Sequence, residues 1–192
     1  MQKVCFVFII IVMFFNVKLV QAIDLIAGKE YFLRTPLYAA KDKDNYINWV
    51  NYSDAAEKLH AGGKVTVTEI NGHAIKFVMN NKMYLFEYEQ KGHVGSPGIY
   101  DKYFTAANIR EDMQRYDEHI RTNISLGKIE LGMTKEEVLL AVGCPPIADI
   151  KKTYDLSLQD ILHADSWIYY RSRLKKLLLN FAAGKVISIE EQ

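Results

Sequence analysis

The sequence predicts an α+β protein in which a β-rich N-terminal half precedes a half that mixes helices and strands. Apolar and polar residues alternate between residues 64 and 88, and Asn-Gly and Asn-Asn turns separate the alternating segments, which is typical of an antiparallel meander. Residues 133–143 carry both end signals of a short helix, and three strand-like segments lie between that helix and the C-terminus.

The composition excludes several classes of protein. The chain has 192 residues, 49% of them apolar, and two cysteines. This apolar fraction is too high for a disordered chain, and two cysteines cannot support a disulfide-dense miniprotein. Lys and Arg total 24 against 23 Asp and Glu, which gives a net charge of +1. The chain as a whole therefore lacks the excess of positive charge that a nucleic-acid partner requires.

Residues 1–22 have the features of a signal peptide. Lys3 precedes an unbroken apolar run over residues 4–15, and Val20-Gln21-Ala22 provides small residues for cleavage. The apolar run is shorter than the roughly 20 residues that a membrane-spanning helix needs. Cleavage after Ala22 is therefore favoured, and a retained membrane anchor is the alternative.

Removing residues 1–22 leaves 170 residues with 22 basic and 23 acidic side chains and Cys144 as the single thiol. Cys5 lies at the start of the apolar run and not directly after it, so the sequence contains no lipobox. We expect an exported, periplasmic protein without a lipid anchor. Peripheral association with the outer membrane is left open.

The first predicted domain covers residues 23–100 and begins with short elements. Residues 31–33 form a strand that Pro36 ends, and residues 53–60 read as a brief capped helix. Residues 64–70 alternate as a strand, and Asn71-Gly72 supplies the residue pair preferred in a type I′ turn.

Two further strands complete the predicted meander. Ile75, Phe77 and Met79 share one face of the second strand, and an Asn80-Asn81 turn leads to a third strand with Tyr84, Phe86 and Tyr88 on one face. The Gly- and Pro-rich segment 91–98 reads as a loop, so the domain boundary is predicted between residues 90 and 103.

The second predicted domain covers residues 101–192. Apolar spacing predicts a helix over residues 108–121, and Thr134 and Glu137 form the capping box of a second helix over residues 135–142. Met133 and Val138 occupy the positions of a hydrophobic staple, and Gly143 and Pro145 end this helix. A partly helical connection then leads to three strands, predicted at residues 167–171, 174–181 and 186–190.

The second half resembles the SmpA/OmlA (BamE-like) family of outer-membrane assembly proteins, over about residues 124–191. The residues that carry the resemblance are Gly132, Met133, Thr134, Glu137, Val138, Gly143, Pro145, Trp167 and Tyr169, together with the segment 181–186. The resemblance implies a fold of two helices and a three-stranded antiparallel sheet that acts in the cell envelope. The family's lipobox cysteine is missing here, and the N-terminal β domain is an addition.

Residues 24–100 are similar to bacterial SH3-type β-barrels. The segments 28–31 and 62–65 and the meander that follows carry this second resemblance. It implies a module that binds peptidoglycan or a peptide in the envelope.

Two groups of residues are candidates for an interaction surface. Arg171, Arg173, Lys175 and Lys176 cluster around a predicted hairpin and could contact anionic lipid or an acidic partner, although charged hairpins also protect sheet edges. Trp49 and Tyr52 lie in a polar segment and are the better surface candidates among the N-terminal aromatics, whose alternation otherwise indicates core packing.

No residue pattern predicts catalysis, a cofactor or a metal. Cys144 lies at the C-terminal end of a helix without a nearby histidine, Ser96 lacks the surroundings of a nucleophile, and the five histidines do not fall at metal-ligand spacing. The sequence therefore predicts a non-enzymatic envelope-binding or scaffold protein, with envelope proteins or peptidoglycan as partners. The alternatives are a secreted enzyme inhibitor, an accessory of a cell-wall hydrolase and a thiol-dependent enzyme that uses Cys144.

Overall fold

A computed structural model describes residues 23–40, 44–54, 56–88 and 98–192. The predicted signal peptide at 1–22 and the predicted loop at 91–97, which contains Ser96, lie outside these residues. The described part is an α+β structure with more strand than helix, which confirms the predicted class.

Eight strands precede residue 106 in the part of the chain that the structure describes. They are β1 (Glu30–Leu33), β2 (Leu37–Ala40), β3 (Tyr46–Ile47), β4 (Ala56–Leu59), β5 (Lys64–Asn71), β6 (Ala74–Met79), β7 (Lys82–Glu87) and β8 (Phe104–Thr105). Six of them form one sheet in the order β3-β7-β6-β5-β1-β8, and β2 pairs with β4 as a separate two-stranded sheet. All pairings are antiparallel except that of β3 with β7.

The predicted meander is confirmed as β5, β6 and β7, with the predicted apolar residues of β6 and β7 buried. Asn80 and Asn81 have φ angles of 51° and 62°, and they form the two-residue turn between Met79 and Lys82. The type I′ turn predicted at Asn71-Gly72 is wrong, because neither residue has a positive φ. A register shift within β5 makes Asn71 the last strand residue, paired with Ala74.

Two further predictions for this region are wrong. Residues 56–59 form β4 and not a helix, because pairing with β2 overrides the helix-forming residues Ala56, Glu57 and Lys58. The described strands also do not close into a barrel. The six-stranded sheet ends at β3 and β8, which are two residues long and do not pair with each other.

The rest of the chain contains four helices and five strands in the described residues. The helices are α1 (Arg110–Met113), α2 (Glu118–Leu126), α3 (Lys135–Val142) and α4 (Leu158–His163). The strands β9 (Ile147–Ala148), β10 (Lys151–Lys152), β11 (Ser166–Tyr170), β12 (Lys176–Ala182) and β13 (Lys185–Glu191) form one antiparallel sheet in the order β10-β9-β11-β12-β13. The three predicted strands are confirmed, and β9 and β10 extend their sheet.

The helix predicted over residues 108–121 is in fact two helices. Asp117 has an extended backbone, and its side chain accepts a 2.8 Å hydrogen bond from the backbone N–H of Ile120. This carboxylate starts α2 and separates it from α1.

Helix α3 has the predicted ends. The Thr134 hydroxyl accepts from the backbone N–H of Glu137 at 3.3 Å, and the Glu137 carboxylate accepts from the backbone N–H of Thr134 at 2.7 Å. Met133 and Val138 are both buried in the core. The helix ends at Gly143, which has a φ of 92°.

One continuous core extends through the six-stranded and the five-stranded sheet. Gly143 is a point of close contact between the N-terminal and C-terminal parts of the described chain. A Cβ atom at Gly143 would lie 2.6 Å from the carbonyl oxygen of Pro36, so a side chain there would displace the backbone. Lys102 is fully buried and donates to the carbonyl oxygens of Thr153 at 2.6 Å and Leu156 at 2.8 Å. The division into domains near residue 100 stays a prediction.

Candidate functional site

A cleft of about 570 Å³ lies where the N-terminal strands meet the C-terminal sheet. We call it the junction cleft. The N-terminal part contributes polar side chains to its wall, and the C-terminal part contributes apolar and charged side chains. The lining residues include Tyr38, Ser53, Asp54 and Lys58 on one side, and Leu126, Lys128, Ile129, Tyr170, Arg171, Ile189 and Glu191 on the other.

Lys58 is the cation of the junction cleft whose pKa is shifted most from its ordinary value. Its Nζ donates to the carbonyl oxygens of Ile124 at 2.8 Å and Ser125 at 3.2 Å, near the C-terminal end of α2. Burial lowers the pKa of Lys58 to about 8, because the charged form loses contact with water. Among the described residues no carboxylate lies within ion-pair distance of this ammonium. An anionic group that entered the cleft would favour the charged form of Lys58.

Tyr38 lies beside Lys58 in the cleft wall. A Cβ atom placed on Gly127 would lie 3.2 Å from both the Tyr38 hydroxyl and the Lys58 Nζ, so both polar atoms face the same glycine. Burial raises the pKa of Tyr38 to about 12, which keeps its hydroxyl protonated at neutral pH. The pair thus offers a cation and a neutral hydroxyl to one small region of the cleft.

Arg171 is the member of the predicted basic cluster that lies in the junction cleft. Its guanidinium approaches the Asp54 carboxylate at 3.5 Å and the Glu191 carboxylate at 3.3 Å. The backbone N–H of Asp54 also donates to the Arg171 carbonyl oxygen at 2.8 Å. Arg171 therefore connects the two halves, and its charge is already compensated.

The structure brings two of the predicted surface residues together. The rings of Tyr52 and Tyr170 meet edge to face at 6.4 Å, and the Lys176 ammonium lies 5.5 Å from the centre of the Tyr170 ring. Tyr52 and Lys176 belong to two separate groups of predicted surface residues, which lie far apart in the sequence. They contact the same tyrosine.

Trp49 lies in a second aromatic group. It packs edge to face on Tyr154 at 5.0 Å, and the Lys152 ammonium lies 6.0 Å from the centre of its ring. Trp49 is half-buried. Part of its ring is thus used in packing, and the rest remains accessible to a partner.

Arg173 and Lys175 extend away from these groups at the tip of the hairpin between β11 and β12. Both are exposed, and neither forms an ion pair with a described residue. Leu174 lies between them and is 91% exposed. The predicted basic cluster is thus divided into a compensated part at Arg171 and a free tip.

Cys144 is buried in the core. Burial raises the pKa of this thiol to about 11, so it is protonated at neutral pH and is a poor nucleophile. In the described ranges, no three His, Cys, Asp or Glu side chains are grouped so that they could hold a metal ion.

The residues on which the resemblance of the second half rests occupy structural positions. The Trp167 indole N–H donates to the Ile161 carbonyl oxygen at 3.0 Å, and the Tyr169 hydroxyl donates to the Gly143 carbonyl oxygen at 3.0 Å. The backbone N–H of Gly132 donates to Val186 at 2.8 Å, and the carbonyl oxygen of Pro145 accepts from the Thr153 hydroxyl at 2.6 Å. These contacts fix the strands and helices, and Tyr169, whose hydroxyl is bonded to Gly143, also lines the junction cleft.

Sequence reasoning missed Tyr38, Asp54 and Lys58. Tyr38 and Lys58 are paired residues of β2 and β4. The segment containing Asp54 and Lys58 read as a helix, so the local pattern hid their common position. A signal would have had to come from pairing between distant segments, which one sequence does not reveal.

Comparison of the chain with family models, with curated proteins and with solved structures finds no match in any of the three. In the part of the chain that the structure describes, no helix has the length and apolar character needed to cross a bilayer.

Proposed function

We propose that the protein is an exported binding protein of the cell envelope that acts without catalysing a reaction, and that its ligand occupies the junction cleft. The ligand carries a carboxylate, as the stem peptides of peptidoglycan and acidic segments of envelope proteins do. The observation that carries the proposal is Lys58, a partly buried cation in the cleft whose hydrogen-bond partners among the described residues are neutral carbonyl oxygens.

The rest of the cleft supports the same ligand chemistry. The Tyr38 hydroxyl next to Lys58 can donate to a second carboxylate oxygen, and the apolar residues Leu126 and Ile129 line the cleft beside it. A few polar groups in a partly apolar concave wall are typical of ligand sites. The protonated state of Cys144 at neutral pH argues against the thiol-dependent alternative.

We also propose that the second half is related to the SmpA/OmlA (BamE-like) family and the first half to bacterial SH3-type modules. The element order α2, α3, β11, β12, β13 supports the first relation, and the meander of β5, β6 and β7 supports the second. In this proposal the N-terminal part binds the envelope ligand through Lys58. The exposed face of the C-terminal sheet contacts a further partner.

A binding experiment with soluble muropeptides and with an acidic peptide tests the proposed ligand site. Lys58→Met should weaken binding of the preferred ligand at least tenfold, because a charge-assisted hydrogen bond contributes about 1.5–3 kcal/mol. Isothermal titration calorimetry measures the effect, and Lys58→Arg should retain most of the affinity. Lys29→Met, which removes an exposed cation outside the cleft, is the matched control. Equal affinities of Lys58→Met and Lys29→Met would exclude the cleft as the ligand site.

The hairpin tip is proposed to contact an anionic lipid surface. Arg173 and Lys175 are exposed cations on either side of the exposed Leu174, and neither forms an ion pair with a described residue. Each charge contributes about 1 kcal/mol near an anionic membrane, so Arg173→Glu combined with Lys175→Glu should lower vesicle binding at least tenfold. Co-sedimentation with phosphatidylglycerol vesicles measures it, with Lys29→Glu as the control. Unchanged co-sedimentation would remove the lipid contact from the proposal.

A further inference from the structure

The backbone nitrogen of Ile23 lies against a buried carboxylate from the middle of the chain. Its N–H donates to the Asp101 Oδ1 at 2.6 Å, across 78 positions of sequence. Asp101 is only 7% exposed and belongs to a short 3₁₀ turn at Ile99–Lys102. Ile23 is also the first residue after the predicted signal peptide.

The segment that follows Ile23 is fixed by further contacts. The Ile23 side chain packs against the core, and Leu25 is buried in it. The backbone N–H of Ile26 donates to the Tyr31 hydroxyl at 3.0 Å, and that hydroxyl donates to the Asp24 carbonyl oxygen at 3.3 Å. The chain is thus held in one position from the residue at which the predicted mature protein begins.

The surroundings of Asp101 include one other charged group close enough to interact. Arg34 lies near it, and the negative charge of Asp101 raises the pKa of Arg34 while burial lowers it more strongly. The Arg34 Nε is buried without a hydrogen-bond partner among the described residues. In the sequence position next to Asp101, Lys102 directs its ammonium away to Thr153 and Leu156. Asp101 therefore has Ile23 N as its hydrogen-bond donor within the described residues.

Cleavage after Ala22 would change the chemistry of this contact. Signal peptidase adds water across the bond between Ala22 and Ile23, so that Ala22 leaves with a new carboxylate and the nitrogen of Ile23 becomes a primary amine. Such an amine has a pKa of about 7.7–8.0 and takes up a proton at neutral pH. The hydrogen bond of a neutral amide is then replaced by one from an ammonium, and charge-assisted bonds are roughly twice as strong.

We propose that signal-peptide cleavage creates the ionic partner of Asp101, and that the ammonium of Ile23 then fastens the mature N-terminus to the junction of the two halves. The inference rests on the signal peptide of the proposed function. It adds that processing stabilises the fold: the precursor presents an amide to Asp101, whereas the mature chain presents a cation. Because Lys102 follows Asp101 and bonds the C-terminal half, the new ion pair stabilises the contact between the halves as well.

A thermodynamic cycle on the exported protein tests the ion pair. One Ser inserted between Ala22 and Ile23 moves the ammonium one residue away, about 3.8 Å along the chain, and Asp101→Asn removes the negative charge. Each change alone should lower Tm by about 5 °C, since the inserted Ser leaves Asp101 with the neutral amide of Ile23 as its donor, and Asp101→Asn leaves the ammonium without its carboxylate. The two changes together should lower Tm no further than Asp101→Asn alone. Asp112→Asn, at an exposed position on α1, is the control and should leave Tm unchanged.

The outcomes separate the ion pair from the signal peptide. Equal Tm values with and without the inserted Ser, or full additivity of the two changes, would overturn the ion pair. Intact mass of the exported product establishes whether cleavage occurs after Ala22. If residues 1–22 are retained, the signal-peptide proposal fails, and the same cycle on a chain released at Ile23 by a site-specific protease decides the pairing alone.

Discussion

Three of the four described helices, α2, α3 and α4, begin at residues whose side chains bond their own first turn, whereas several strands of the N-terminal half pair with segments far along the chain. Thr134 and Ser157 form capping boxes at the starts of α3 and α4, each within four residues. In contrast, β1 pairs with β8 through Leu33 and Phe104, and β3 pairs with β7 through Tyr46 and Leu85. Local chemistry thus specifies these helix starts, whereas pairing between distant segments specifies β1, β3 and β8. The meander of β5, β6 and β7 is the locally connected part of the N-terminal half.

The two halves nevertheless form one core, and substitutions on each side test whether they unfold together. Phe77 in β6 and Trp167 in β11 are fully buried, and each packs on other rings of its own half. Truncation of either to Ala should lower the free energy of unfolding by about 3–5 kcal/mol. Because the core is continuous, we expect both variants to shift one common transition in calorimetry.

The matched control for this pair is Leu174→Ala, at the exposed hairpin tip, which should change stability by less than about 0.5 kcal/mol. A Trp167→Ala protein with one transition at the wild-type temperature and one far below it would show two independent units. The two halves would then differ in their unfolding transitions as well as in the contacts that specify their structure.

Lys102 lies two residues before β8 of the six-stranded sheet, and it tests the connection of that sheet to the C-terminal part more directly. Its buried ammonium bonds the carbonyl oxygens of Thr153 and Leu156, so Lys102→Met leaves both without this donor. We expect a loss of about 2–3 kcal/mol, since the variant loses the hydrogen bonds of a buried cation, and a hydrogen bond from a charged donor contributes about 1.5–3 kcal/mol. Urea unfolding followed by tryptophan fluorescence measures it. A midpoint equal to that of the exposed Lys29→Met control would show that the buried ammonium adds no net stability.

Sequence-based prediction succeeds for local features in both halves, including the meander of β5, β6 and β7, and fails where distant segments pair. The capping box at Thr134, the staple at Met133 and the strand led by Trp167 depend on residues within one segment, and all three segments were predicted correctly. Residues 56–59 were predicted as helix because Ala, Glu, Lys and Leu favour helices locally, but pairing with β2 decides their structure. Strands β3, β8, β9 and β10 are two residues long, too short for any periodicity to appear.

The candidate site divides in the same way. The exposed character of Arg173 and Lys175 could be predicted from composition alone, since a cluster of charges on a hairpin seldom becomes buried. The junction cleft could not, because Lys58, Asp54 and Arg171 come together only after the two halves are assembled. A surface feature within one segment can be predicted from the sequence. A cleft formed by several segments can be identified only from the three-dimensional structure.

The smallest expected change in the free energy of unfolding concerns the capping box at the start of α3. Thr134→Ala removes the oxygen that accepts from the Glu137 N–H, and should lower the free energy of unfolding by about 1 kcal/mol. Thr134→Ser keeps that oxygen and should stay close to wild type. Hydrogen exchange at the Glu137 amide gives a second measurement, because the lost bond should speed exchange there while the amides of β6 keep their protection. If Thr134→Ala exchanges like Thr134→Ser, then packing of Met133 and Val138 in the core holds this helix end, and α3 depends on long-range contacts as the N-terminal strands do.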